Sequence, residues 1–188
     1  CERAGLPLRT AAFLHDIVAG RVAVGEFRNV TIEDILGRAK IKLDEGAIRK
    51  LVSGQRIMVT GAGGSIGSEL CRQISRFEPA LLVLFEQSEF NLYQLDQELG
   101  RIFPDIERVA LLGDCRNKER VRWALEKYSP DTVLHAAAYK HVPLVELNVT
   151  EGIYNNIMGT RVVADACVAH SVPRFVMVST AKAVNPAN

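Results

Sequence analysis

Ile57-Met-Val-Thr-Gly-Ala-Gly-Gly-Ser-Ile-Gly67 is the stretch on which the reading of this chain turns. Four strand-forming residues run into a cluster of four glycines, and a helical pattern starts at once behind them. A buried parallel strand that ends in a glycine turn and feeds a helix N-terminus is built to receive a dinucleotide pyrophosphate. The glycines let the backbone turn tightly, approach phosphate oxygens and bring the helix down on the strand. Helix-start N–H groups and the helix dipole then hold the negative charge. A glycine-rich turn alone is weak evidence, but the next apolar strand ends in Glu86, 19 residues beyond Gly67. That is the place for the acid that hydrogen-bonds an adenosine ribose.

Outward from this centre the chain reads as strand–helix units. Strands are expected at 56–60, 81–86, 109–112, 132–136 and 174–179, with helices at 65–77, 89–102, 117–128 and 151–170 and a loop at 137–146. Strands alternating with helices of this length make a Rossmann-type, doubly wound parallel sheet. The continuously apolar run at 81–86 is what a strand covered on both faces requires. Residues 1–50 do not fit that pattern. Apolar residues at helical spacing over 8–19, an extended segment at 27–30 and a short helix opened by Thr31 and ended near Gly37-Arg38 read as a linker or the tail of a preceding domain. The expected division is therefore an extension over 1–53 and a dinucleotide-binding domain over 54–188, incomplete at its C-terminal end.

The whole chain sets bounds. Its 188 residues, 48% hydrophobic and 24% charged, describe an ordinary globular α/β protein with a substantial core. A net charge of +1 gives no reason to expect a nucleic-acid partner. Cys1, Cys71, Cys115 and Cys167 form no paired framework and read as reduced thiols of a cytoplasmic protein. The four histidines show no ligand spacing, so no metal site is expected. No apolar run is long enough to span a bilayer, and the start at Cys1 reads as that of a fragment. Neither a nucleophile elbow nor a lysine after the glycines is present, which argues against a hydrolase or kinase.

Ligands of such sheets bind outside the carboxyl ends of the strands, and the sequence is polar there. Asp114, with Cys115 beside it, is a candidate acceptor for an adenine amino group, with a simple Gly113-Asp114 turn as the alternative. His135-Ala136-Ala137-Ala138 offers small residues where a cofactor ribose needs room, and His135 itself reads first as a satisfied core histidine. Lys140 and His141 follow on the next loop, facing either an anionic substrate or solvent.

Taken together, Thr60-Gly-Ala-Gly-Gly-Ser-Ile-Gly-Ser-Glu-Leu70, Ser88-Glu-Phe-Asn-Leu-Tyr93, Ala137-Ala-Tyr-Lys-His-Val-Pro-Leu144, Asn156-Ile-Met-Gly-Thr160 and Ser179-Thr-Ala-Lys-Ala-Val-Asn-Pro186 resemble one family. It is the CapD-like polysaccharide-biosynthesis branch of the extended short-chain dehydrogenase/reductases, the UDP-N-acetylglucosamine 4,6-dehydratases. The resemblance covers residues 31–188. It narrows the turn to Thr-Gly-x-x-Gly-x-x-Gly, with Gly61, Gly64 and Gly67 as the spaced glycines, Ser65 and Ile66 on the cofactor-facing helix start, and Gly63 as an additional, permissive residue. Residues 30–38 look like the segment preceding the dehydratase domain in long members, which carry an N-terminal membrane region. The implied protein works at the cytoplasmic face of a membrane and forms a homo-oligomer.

The resemblance also implies a reaction. Hydride leaves C4 of a UDP-sugar for a nicotinamide cofactor, water is lost across C5 and C6, and hydride returns to C6. A base at C5 and an acid at the C6 hydroxyl are needed. The family draws them from a Ser-Thr-Asp-Lys segment, matched here by Thr180 and by Lys182 as the candidate base, with an ordinary surface lysine as the alternative. Asn156 matches the family's supporting asparagine. Ala181 stands where the family has its acid, and the lysine and lobe that complete the sugar pocket would lie beyond Asn188. The chain as given is therefore expected not to turn over, and a nucleotide-sugar epimerase or a non-catalytic module of polysaccharide assembly stays open. Glu86 favours NAD over NADP, because a carboxylate repels a 2′-phosphate and no arginine follows to reverse the preference.

Overall fold

The computed structural model describes residues 9–11, 27–29 and 43–179. The chain divides into two compact units, Cys1–Asp44 and Glu45–Asn188. In the first, strand β1 (Arg9–Ala11) pairs antiparallel with β2 (Phe27–Asn29). Residues 9–11, expected on a helix from their apolar spacing, are therefore extended, because a neighbouring strand satisfies their backbone. The extended segment expected at 27–30 is seen as β2, and the short helix expected from Thr31 lies outside the described residues.

The second unit opens with α1 (Glu45–Val52) and then alternates: β3 (Arg56–Thr60), α2 (Ser65–Ser75), β4 (Leu81–Glu86), α3 (Glu89–Ile102), β5 (Arg108–Leu112), α4 (Lys118–Tyr128) and β6 (Thr132–His135). After β6 come α5 (Val142–Leu147), α6 (Val149–Ile153), a π-helical segment (Tyr154–Gly159), α7 (Thr160–Ala169) and β7 (Arg174–Met177). The strands form one parallel sheet in the order β5-β4-β3-β6-β7. Strand order reverses between β3 and β6, which makes the gap above their carboxyl ends the switch point where such sheets hold ligands.

Alternation along the central strands sorts the core into two layers. Ile57, Val59, Leu82 and Leu84 point to one face and pack with Cys71, Ile74, Leu92, Leu95 and Leu99 from α2 and α3. Met58, Val83, Phe85 and Val133 point to the other and meet Val121, Leu125, Val163 and Cys167 from α4 and α7. Every residue of β4 is buried, as its unbroken apolar run requires. The side chains of Ser88 and Asn117 accept the backbone N–H groups of Asn91 and Arg120, and so fix the starts of α3 and α4.

Two expectations about the stretch after β6 need correction. Residues 142–147 are a helix, not loop, because Pro143 sits at the first turn, where its missing N–H costs nothing. The helix expected at 151–170 starts at Val149, and one wide π turn interrupts it over Tyr154–Gly159. Such insertions often lie beside functional sites.

Candidate functional site

The carboxyl ends of β3, β4, β5 and β6 enclose an open cleft of about 240 Å³. Gly61 forms its floor, at φ +67° in the left-handed region that glycine alone visits freely. A Cβ on Gly61 would lie 2.7 Å from Cα and 2.8 Å from N of Ala137, so the turn after β3 and the strand end of β6 touch backbone to backbone. Gly64 lines the cleft and precedes α2 as its N-cap, without a side-chain hydrogen bond. Gly67 packs α2 onto the carbonyl of Gly61, a position no side chain could share.

Gly63 does not fit the permissive role expected for it. A Cβ there would come within 2.6 Å of Asn91 Cβ and 3.1 Å of Glu86 Cγ, and its N–H donates to Glu86 Oε2 at 2.9 Å. The other oxygen, Oε1, accepts the N–H of Ser88 at 2.9 Å. Glu86 is 7% exposed and braced by two backbone donors, one from the glycine turn and one from the start of α3. A carboxylate accepts at about four lone-pair positions, so it retains capacity for a pair of hydroxyls in the cleft.

Asp114 and Cys115 line the far side, as expected. Burial works to raise the Asp114 carboxyl. The Arg116 guanidinium, bonded at 2.7–3.1 Å, and the Arg116 N–H, at 2.8 Å, outweigh it and hold the group below the ordinary carboxylate range. Asp114 is thus already paired, and Arg116 continues to Glu151 at 2.9 Å. The Cys115 thiol is buried, and that burial pushes it up to about 12. It is not a nucleophile.

Ala136, Ala137 and Ala138 form the wall after β6. Their small side chains leave the space that a larger residue would fill. Asn156 lies behind that wall: its Oδ1 accepts the N–H of Tyr139 at 2.8 Å, and its Nδ2 donates to the Tyr139 carbonyl at 2.9 Å. One amide thereby clamps one residue of the wall from both sides. His135 is buried and satisfied, its Nδ1 2.7 Å from Thr60 Oγ1 and its Nε2 2.9 Å from Thr160 Oγ1. Burial lowers it to about 4, so it is neutral at physiological pH.

Lys140 reaches back across the cleft mouth, donating from Nζ to Ser65 Oγ at 2.8 Å. Ile66 sits half-exposed on the next position of α2, and His141 caps α5 outside the cleft. Thr180, Ala181 and Lys182 lie outside the described residues. The sequence did not single out Phe85, Gln87, Asn91, Gly113 or Asn155, which also line the cleft; Tyr139, read with Lys140 and His141 as facing this crevice, lines it too. Gly113 carried a readable signal: a Cβ there would meet the Phe85 ring at 2.5 Å. Among the described residues no cluster of potential metal ligands occurs, and no helix is long and apolar enough to cross a membrane.

A glycine turn at the switch point, a braced carboxylate at the end of the adjacent strand and a wall of alanines define a Rossmann-type dinucleotide-binding fold. The space that a Cβ would fill and the spare acceptor capacity of Glu86 both fit such a ligand. The chain belongs to the polysaccharide biosynthesis protein family, whose model matches residues 57–188. It is 42% identical over its whole length to the capsular polysaccharide biosynthesis protein CapD of Staphylococcus aureus, of which it covers 32%. It is 34% identical over 73% of its length to a UDP-N-acetylglucosamine 4,6-dehydratase (inverting) of Campylobacter jejuni, covering 40% of that protein. The X-ray structure of Pen from Bacillus thuringiensis superposes with a TM-score of 0.66 at 34% identity, covering 73% of this chain and 41% of that one. The chain thus spans about a third to two fifths of the proteins it matches.

Proposed function

We propose that this chain is the cofactor-binding part of an NAD-dependent nucleotide-sugar 4,6-dehydratase that acts on UDP-N-acetylglucosamine in surface polysaccharide assembly at the cytoplasmic face of the membrane. The observation that carries the reading is the Glu86 carboxylate, braced by Gly63 and Ser88 beside the glycine turn. Gly61 and Gly64 admit the pyrophosphate, Glu86 takes the adenosine ribose hydroxyls, and Asp114 and Cys115 bound the adenine end. Ala136, Ala137 and Ala138 leave room for the second ribose, and Lys140 meets the anionic sugar nucleotide at the mouth. When bound, NAD supplies a reversible hydride acceptor. Lys182 removes the C5 proton, with Thr180 beside it, and Ala181 can donate nothing to the leaving C6 hydroxyl.

Support for the dehydratase comes from the motif set ending in Thr180-Ala-Lys182 and from the likeness to the Campylobacter protein. The test has two arms. Calorimetry on the 188-residue chain should show NAD binding more tightly than NADP; equal affinities would remove the role given to Glu86. A polypeptide of the relatives' length carrying this segment, with Ala181→Asp, should convert UDP-N-acetylglucosamine to a 4-keto-6-deoxy product that absorbs in alkali. A 4-epimer as the sole product would make it an epimerase, and no turnover with NAD bound would make it a non-catalytic module.

A further inference from the structure

The end of the sheet carries a second construction that the proposed chemistry leaves unused. Four groups from four parts of the fold touch in series beneath the cleft. Thr60 Oγ1 lies 2.7 Å from His135 Nδ1, and His135 Nε2 lies 2.9 Å from Thr160 Oγ1. Thr160 Oγ1 then donates to the carbonyl of Asn156 at 2.7 Å. The series starts on β3, passes through β6 and the first residue of α7, and ends inside the π-helical segment.

Counting protons gives the series one direction. Each threonine hydroxyl has one proton to give. Thr160 spends its proton on the Asn156 carbonyl, so its oxygen must accept from His135, which places the imidazole proton on Nε2. Nδ1 is then bare and accepts from Thr60. In the reverse tautomer, Nε2 would claim the proton now given to Asn156. Thr60 would accept from Nδ1–H and have no partner in the series for its own proton. Only the first arrangement uses every proton, as buried polar groups require.

The far end of the series is the residue whose side chain shapes the cleft. Asn156 belongs to the wide turn, where backbone position is less tightly set than in an α-helix. A hydroxyl bonding back to a carbonyl four residues earlier biases such a turn. The amide of the same Asn156 clamps both backbone groups of Tyr139, and Asn155 Nδ2 adds a bond to its Oδ1 at 3.0 Å.

We infer that His135 is a positioning residue: held as the neutral Nε2–H imidazole, it ties β3 and β6 through Thr160 to the π-helical turn, and so seats the Asn156 amide that fixes the Tyr139 wall of the cleft. The consequence for nucleotide affinity rests on the cofactor reading above. The geometry of the wall does not.

Thr160→Val removes the hydroxyl at constant shape, and Thr160→Ser keeps it. In the 188-residue chain, imidazole ¹⁵N NMR should show His135 with its proton on Nε2. Thr160→Val should move the proton to Nδ1 and speed exchange of the Tyr139 amide about tenfold, the worth of one net hydrogen bond. The Val83 amide, deep in β4, should be unchanged, and Thr160→Ser should restore all three readings. A wild-type Nδ1–H tautomer overturns the inference before any variant is made. Thr160→Val with Tyr139 protection intact, or with Tyr139 and Val83 loosened equally, overturns it as well. NAD affinity should fall about tenfold in Thr160→Val and recover in Thr160→Ser. If the tautomer and Tyr139 behave as stated but the wild type does not bind NAD, the inference stands and the cofactor reading falls.

Discussion

Gly61→Ala and Gly64→Ala should separate fold stability from cofactor affinity, although a glycine motif treats the two positions alike. At Gly61 the φ of +67° places an alanine in the left-handed region, at about 1–2 kcal/mol. The new methyl also meets Cα and N of Ala137 at 2.7 and 2.8 Å. Those neighbours are backbone of the next strand end and cannot swing away, so overpacking adds about 1–3 kcal/mol. The sum, about 2–5 kcal/mol, corresponds to a fall in Tm of roughly 4–20 °C for a chain of this length. At Gly64 the φ is −73°, which any residue adopts, and the nearest atom to a new Cβ is the Gly61 carbonyl oxygen at 3.2 Å. Loss of a favourable N-cap is the main cost there, about 1 kcal/mol or less and roughly 2–4 °C. The methyl of Gly64→Ala would instead stand at the start of α2, where the pyrophosphate approaches, so NAD affinity should drop at least about tenfold with the fold nearly intact. Differential scanning calorimetry with and without NAD reads both quantities. Equal losses of Tm in the two variants would refute the assignment of Gly61 to the β3–β6 contact, and an unchanged NAD shift in Gly64→Ala would refute that of Gly64 to the phosphates.

Three further outcomes follow from the same geometry. Glu86→Gln keeps the side-chain volume but turns one acceptor into a donor facing either Gly63 or Ser88. NAD affinity should fall by roughly ten- to a hundredfold and the preference over NADP should narrow, as read by calorimetry. His135 carries a folded pKa of about 4 against 6.5 in the unfolded chain, so the unfolded state binds the extra proton. Its contribution is complete above pH 6.5 and is lost as pH falls toward 4, by up to about 3 kcal/mol, and urea melts across that window should show a slope that His135→Gln flattens. Lys140→Met retains the apolar stem and removes the ammonium that spans to Ser65. UDP-sugar binding in a polypeptide of the relatives' length should weaken about three- to tenfold and lose part of its salt dependence.

The parts of this fold legible in the sequence are those set by neighbours along the chain. The strand at 56–60, the glycine turn and the helix that follows are specified within twenty residues, and the apolar run at 81–86 announces its own burial. Glu86 was readable because the spacing from turn to acid is fixed by one strand–helix–strand unit. Gly63 was not, since its constraint comes from Asn91 on α3, brought against the turn only once β3 and β4 pair. Asp114 lines the cleft, but its partner Arg116 is reached by a tight local turn that the Gly113-Asp114 pair alone does not reveal. The π turn at 154–159 is not visible in the residue pattern, and within it Asn155 lines the cleft while Asn156 holds Tyr139 from behind the wall.

The charges around the cleft now acquire an order that the residue types alone did not give. Asp114 is paired with Arg116, which is also held by the exposed Glu151, so Asp114 does not face the cleft as a lone charge. Glu86 is braced by backbone N–H groups between the glycine turn and α3 and has no cationic partner among the described residues. Lys140 has no carboxylate partner among the described residues and stands at the mouth over Ser65. A ligand lying along this cleft therefore meets a carboxylate without a cationic partner beside β4 and a cation without a carboxylate partner near the helix start. Phosphate placed against Glu86 would face about 4 kcal/mol of repulsion per unit charge at 4 Å in a partly buried site, whereas phosphate near Lys140 and the N-terminus of α2 would be attracted. On the proposed reading this polarity has two effects. It sets which end of a dinucleotide enters beside β4, and it makes the same carboxylate that holds the ribose hydroxyls the element that keeps a 2′-phosphate out.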